Sequence, residues 1–379
     1  TQEEADAVSK VLLSNKVNYW TGTECREFEK EFAAFAGTQY AVALSNGTLA
    51  LDVALKAMGI GAGDDVIVTS RTFLASASCI VTAGANPVFA DVDLNSQNIS
   101  AETIKAVLTP NTKAIIVVHL AGMPAEMDGI MDLAKEHDLW VIEDCAQAHG
   151  AKYKGKSVGS IGHVGAWSFC QDKIMTTGGE GGMVTTNDKE LWSKMWSYKD
   201  HGKSYDAVYH REHAPGFRWL HESFGTNWRM MEMQAVIGRI QLKRMPEWTA
   251  RRQAHAAKLA ESLGKFASIR LIEVADYIEH AQYKFYAFVK PEHLKDGWTR
   301  DRIVNELNAR KVPCYQGSCS EVYLEKAFDN TPWRPKERLK NAVELGDTSL
   351  MFLVHPTLTD DEIAFCKEHI EAVLAEATA

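Results

Sequence analysis

Between Tyr40 and Glu143, short β-branched runs alternate with stretches whose apolar residues recur at helical spacing, and few folds accommodate that alternation. The runs Ala41 to Leu44, Asp65 to Thr69, Pro87 to Ala90, Lys113 to His119 and Leu139 to Ile142 read as strands. Thr48 to Met58, Ala75 to Ala83 and Met127 to His137 read as helices, each long enough for a crossover. Strands joined in this way build a mostly parallel α/β sheet. Such sheets place ligands beyond the carboxyl ends of their strands, so the residues that follow each run are where chemistry is expected.

Further on, the pattern changes to one long helix, Glu232 to Leu263, with Arg251, Arg252 and Lys258 expected on a solvated face. After it come a strand at Phe285 to Val289, a helix near Asp301 to Ala309, a loop carrying Pro, Cys and Gly, and a terminal helix from Thr359 to Leu374. The expected organisation is a large domain over residues 1–245 and a smaller C-terminal α/β domain over 246–379.

With 46% hydrophobic and 24% charged residues in 379, the chain can bury a large core. A net charge of −9 with scattered Lys and Arg leaves no basic stripe for a phosphate backbone, so no nucleic-acid partner is expected. No run approaches the roughly 18 apolar residues that cross a bilayer, so no membrane partner is expected either, and the expected location is cytoplasmic. The seven cysteines lack CxxC spacing and read as reduced thiols. Cys314 and Cys319 have no second pair at zinc-site spacing, and no metal is expected.

Three segments carry chemistry. The strand ending at Ile142 runs into Glu143-Asp144-Cys145-Ala146-Gln147-Ala148-His149-Gly150, which sets a carboxylate, an amide and an imidazole at one strand end. Asp144 is equally suited to cap a helix starting at Cys145. In the second, Lys173 stands between the apolar run Ala166 to Cys170 and a glycine-rich turn, where an amine can be desolvated and made nucleophilic. In the third, Leu44-Ser45-Asn46-Gly47-Thr48 ends a strand and opens a helix, offering free amides and a hydroxyl to an anion, though Asn-Gly also marks ordinary turns.

In this order, together with Thr72-Phe73, Ser168-Phe169, Gly179-Glu180-Gly181-Gly182 and Asn227-Trp228-Arg229-Met230, these segments resemble the DegT/DnrJ/EryC1/StrS family of sugar aminotransferases dependent on pyridoxal 5'-phosphate (PLP). The resemblance implies an aspartate aminotransferase-like fold of type I, with a mostly parallel seven-stranded sheet in the large domain. It implies that Lys173 holds the cofactor through a Schiff base and later shuttles a proton, that Asp144 pairs with the pyridine nitrogen, and that Gln147 meets the phenolic oxygen. Phe73 would stack on the ring, while Gly47, Thr48 and Ser168 would hold the phosphate.

Asn227 matches a family position that reaches the phosphate in a neighbouring subunit, which implies a homodimer with shared sites; alternatively it caps the helix that follows. Arg229, Tyr315, Gln316 and His355 fall where the family contacts its sugar. His119, His163 and His201 read as scaffold. The implied reaction moves an amino group from glutamate, by way of pyridoxamine 5'-phosphate, to a nucleotide-linked keto sugar. A 4-keto-6-deoxyhexose is the expected acceptor and a 3-keto sugar the alternative, in amino-sugar biosynthesis feeding a surface polysaccharide or glycan. A sugar dehydratase of this fold would carry histidine in place of Lys173, and a PLP-sensing regulator would bring a basic helix-turn-helix segment that is missing here. Two stretches depart from the family pattern: Cys170-Gln171-Asp172, and Ser70-Arg71, whose arginine reads as a surface ion pair rather than a diphosphate contact.

Overall fold

The computed structural model describes residues 1–379. Seven strands make the main sheet: β1 (Tyr40–Leu44), β2 (Asp65–Thr69), β3 (Asn86–Ala90), β4 (Thr112–Val118), β5 (Trp140–Asp144), β6 (Val164–Ser168) and β7 (Gly182–Thr186). Their order is β1-β7-β6-β5-β4-β2-β3, and β7 alone runs antiparallel to its neighbours. The mostly parallel seven-stranded sheet is therefore present. Helices α1 (Gln2–Leu13) and α2 (Glu24–Ala36) precede the sheet. Both faces are covered, as parallel sheets require, and the period of two shows in β2: Val66 and Val68 pack under helices α3 (Gly47–Ala57) and α4 (Ala75–Thr82), while Ile67 faces α5 (Met127–Glu136).

A second sheet of β8 (Ile269–Leu271), β9 (Phe285–Val289), β10 (Cys314–Tyr315) and β11 (Ser349–Phe352) is wholly antiparallel in the order β8-β9-β11-β10. It packs on α6 (Glu232–Leu263), α7 (Arg300–Ala309) and α8 (Asp360–Ala377). Helix α6 connects the two sheets, and the junction expected after residue 245 lies inside it, at Pro246, where the helix continues. No helix is long and apolar enough to cross a membrane.

Three local expectations are corrected. Arg252 is buried at 2% exposure, because it shares the inward stripe of α6 with His255, Ala256 and Leu259, at spacings of three, four and seven residues. Arg251 remains exposed, and the partly exposed Lys258 pairs with Asp360 at 2.7 Å. Arg71 makes no surface ion pair; it is wholly buried beneath the second sheet. No helix starts at Cys145, since β5 continues through Asp144 and the chain then turns.

Candidate active site

The carboxyl end of β5 delivers Glu143 and Asp144 to opposite faces of the sheet, both buried. Asp144 points into a cleft of about 570 Å³ that is also lined by Gly47, Thr48, Phe73, Gln147, Ser168 and Lys173. Its carboxylate accepts from Ser76 Oγ at 2.8 Å and from the Ala146 amide at 3.1 Å. Thr72 Oγ1 lies 2.9 Å from Ser76 Oγ; because the Ser76 proton goes to Asp144, Thr72 is the donor in a short relay. Burial pushes the Asp144 carboxyl above its ordinary range, and these two donors only partly offset that.

The cleft's opposite wall comes from β1, β6 and the turn before β7. Asn46 caps α3 by accepting from the Leu49 amide at 3.0 Å, which leaves the Gly47 and Thr48 amides in the first turn without an intrahelical acceptor. Gly47 approaches Ser168 so closely that any side chain there would meet the serine Cβ at 2.5 Å. Helix amides and a serine hydroxyl are thereby drawn into one cradle whose donors suit a phosphate. Across it, Gln147 Oε1 accepts from the Ala121 amide at 2.8 Å, which fixes the side-chain orientation and leaves the Nε2 donor free for a ligand.

Lys173 is carried on a loop whose position is set by its neighbours. Ile174 and Met175 are buried on its C-terminal side. The Lys173 amide bonds to Cys170 O at 3.0 Å, and Gly178 and Gly179, at φ of 85° and 125°, allow the sharp return into β7. Its ammonium pairs with Asp172 at 3.1 Å, and Asp172 accepts from Tyr283 Oη at 2.7 Å. Burial alone would raise the Asp172 pKa, but Tyr283 and Lys173 together hold it below its ordinary value.

The remaining expected residues lie outside this cleft's wall. Asn227 is exposed and caps nothing, because the next helix begins at Glu232 after Met231. Arg229 pairs with buried Asp200 at 2.8 Å. Tyr315, Gln316 and His355 are exposed on loops and strand ends of the second sheet. Ser76 and Tyr283 could not be read as site residues, since each gains its partner from another element; Thr72 stood in a quoted motif without a role, and the only local signal was its four-residue spacing to Ser76 at the start of α4.

A basic group facing a buried carboxylate, beside a glycine-lined anion cradle, is the donor set that a phosphorylated pyridine aldehyde requires. Residues 1–371 match the DegT/DnrJ/EryC1/StrS aminotransferase family along their whole length. The chain belongs to that family. Among its relatives, GDP-perosamine synthase of Escherichia coli O157:H7 is 42% identical over 374 residues, 98% of this chain and 95% of that one. UDP-N-acetyl-3-dehydro-alpha-D-glucosamine 3-aminotransferase of Acidithiobacillus ferrooxidans is 42% identical over 363 residues, 94% of this chain and 90% of that one. The X-ray structure of the aminotransferase from Psychrobacter cryohalolentis superposes with a TM-score of 0.97 at 65% identity, covering 99% of this chain and 97% of its own.

As a member of this family the protein is a PLP-dependent aminotransferase of fold type I, with a cofactor that alternates between the pyridoxal and pyridoxamine phosphate forms. The bound cofactor supplies an electron sink for the carbanion formed at the substrate's amino-bearing carbon.

Proposed function

We propose that the protein transfers an amino group from glutamate to the 4-keto carbon of a nucleotide-linked 6-deoxyhexose. The observation that supports transamination is the single cleft in which Lys173, Asp144, Gln147 and the Gly47–Ser168 cradle converge, and the name of the Escherichia coli relative favours a nucleotide-linked sugar as acceptor. Lys173 Nζ would anchor the cofactor and, once released, would carry a proton from the donor's amino-bearing carbon to the cofactor in the first half-reaction and from the cofactor to the sugar carbon in the second. Asp144 would pair with the pyridine nitrogen and favour its protonated form, a pairing that would relieve the cost of burying the carboxylate. Gln147 Nε2 would donate to the phenolic oxygen, the first-turn amides with Thr48 and Ser168 would hold the phosphate, and Phe73, 71% exposed at the rim, would cover the ring.

Asn227 is assigned to the phosphate of a second subunit. Support comes from its exposure outside this chain's own cleft and from Phe217, Trp219 and Phe224 on the preceding segment, exposed at 76, 81 and 98%. Large apolar side chains so open to water favour a covering partner, and a homodimer with shared sites provides one. Tyr315 and Gln316 are exposed to meet the acceptor sugar, as is His355, whose Nδ1 is bonded to Thr357 and whose Nε2 is left for a ligand, whereas the Arg229 guanidinium is engaged by Asp200. A 3-keto acceptor is the second reading, favoured by the name of the Acidithiobacillus relative.

The visible absorbance of the purified protein loaded with PLP tests both. Glutamate should bleach it, and a nucleotide-linked 4-keto-6-deoxyhexose should restore it with formation of the amino sugar. Restoration by a 3-keto sugar alone would transfer the assignment to the second reading. No bleaching by glutamate would remove the donor.

A further inference from the structure

The arginine that departs from the family pattern occupies a place no surface ion pair would. Arg71 follows β2 by two residues and precedes Thr72 and Phe73, both of which line the cleft, yet its own side chain turns away and is wholly buried. Its Nε donates to Gln97 Oε1 at 3.1 Å and its Nη2 to Ser349 Oγ at 3.1 Å, while Nη1 has no partner and no carboxylate pairs with the guanidinium. Such burial is costly, and replacing a buried charge with an apolar side chain of similar size is often neutral for stability. A role in holding the fold together therefore does not explain Arg71.

What Arg71 touches gives a better account. Ser349, at the start of β11, donates its hydroxyl proton to the Leu345 carbonyl at 2.5 Å, and the Gln316 carbonyl lies 3.0 Å from the same oxygen. On either side of Arg71 the main chain is tied to the same loop: the Thr72 amide bonds to Cys319 O at 3.1 Å, and the Val322 amide to Ser70 O at 2.9 Å. The Arg71 guanidinium lies 5.6 Å from the Tyr286 ring, whose hydroxyl accepts from the Ser318 amide at 2.9 Å. Gly317, at φ 86°, passes so close to that phenol that any side chain would collide with it. Apart from the bonds to Gln97 and Leu345, the contacts of this network hold the loop 315–322 of the second sheet against residues 70–73 of the first.

We propose that Arg71 is a positioning residue that sets the Tyr315–Gln316 loop relative to the Thr72–Phe73 wall of the cofactor cleft, and so governs the acceptor half-reaction. The assignment rests on the transamination reading above. That reading is judged on the unaltered protein by bleaching with glutamate and recovery with a keto sugar; the role of Arg71 is judged separately.

The test uses PLP-loaded Arg71→Met and Arg71→Lys. The first readout needs no turnover: amide hydrogen exchange should accelerate at Ser318 and Val322 in Arg71→Met while the strands of the main sheet keep their protection. Single-turnover kinetics of the two half-reactions give the second. Bleaching by glutamate should keep its rate, whereas the keto-sugar concentration for half-maximal recovery should rise by about tenfold, the size of one hydrogen bond to a charged group. Arg71→Lys, which keeps the charge and one donor, should recover part of the difference. Unchanged exchange in residues 315–322, or equal losses in both half-reactions, would overturn the proposal, because a purely structural arginine would act on Lys173 in both directions alike.

Discussion

Glu143 and Asp144 are adjacent, both buried, and behave oppositely. Glu143 receives four donors: His119 Nε2 at 2.9 Å and the amides of Gly159, Ile161 and Gly162 at 2.8, 2.8 and 2.6 Å. His119 Nδ1 accepts from the Ala125 amide, so its Nε2 carries the proton. Burial would raise the Glu143 pKa, but His119 and the amides reverse it and hold the carboxyl below its ordinary value. Asp144 receives two donors, and its pKa is raised. A buried carboxylate whose oxygens are saturated by its own chain is a brace for the 159–162 turn. One left short of partners is prepared for a cation that arrives with a ligand.

That contrast can be broken from either side. The largest effect belongs to the group facing Asp144: Lys173→Ala should abolish the visible cofactor band and lower turnover by about a thousandfold or more, with the fold intact. A variant that keeps the band and full turnover removes Lys173 from the mechanism. Asp144→Asn should cost about a hundredfold in rate, since the pyridine nitrogen loses its buried counter-ion. Because folding raises the Asp144 pKa, its ionised form weighs against the folded protein as pH rises through the carboxylate range. The asparagine variant without cofactor should therefore melt no lower than the parent, and a clear fall in Tm would assign Asp144 to the scaffold.

Glu143→Gln should do the reverse. Donors approach both oxygens, so whichever becomes an amide faces two of them, and a loss of about 3 kcal/mol is expected in denaturant titration, with rate per folded molecule nearly kept. A smaller change is expected from Ser76→Ala, which removes one of the two Asp144 donors. The rate should fall by about tenfold, and its acid limb should move to higher pH as the carboxyl rises further.

The mildest test concerns His149, which is wholly buried against Trp167, Phe32 and Phe169 with neither ring nitrogen partnered, and whose pKa burial lowers to about 3. A depressed histidine contributes stability that is complete above its ordinary pKa of 6.5 and is lost as pH falls towards 3. His149→Phe should flatten the acid side of the stability profile by one proton's slope, about 1.4 kcal/mol per pH unit. An unchanged slope would mean that His149 finds a proton acceptor in solution.

Much of the cleft was legible because its residues follow strand ends in sequence. Gly47, Thr48, Asp144, Gln147, Ser168 and Lys173 each stand within a few residues of a recognisable strand, and the structure gathers them in one place. The Arg71 and Arg252 readings failed for a common reason. A charged residue is expected at the surface unless a partner is visible, and the carbonyl, hydroxyl and amide groups that receive these two guanidinium groups lie 26 or more residues away in the chain. Asp144 was singled out by the family resemblance alone: as neighbours in sequence Asp144 and Glu143 look interchangeable, and the sheet is what assigns them to opposite faces.

The sequence by itself determined the alternating sheet, the long helix from Glu232 to Leu263 and the family, because periodicity and local motifs survive without coordinates. The tertiary structure alone decided which polar groups are satisfied. It saturated Glu143 and left Asp144 open, brought Ser76 and Thr72 behind the site, and tied Arg71 to the second sheet. Hydrogen bonding and desolvation depend on distances between residues far apart in the chain, and those distances exist only once the layers have packed.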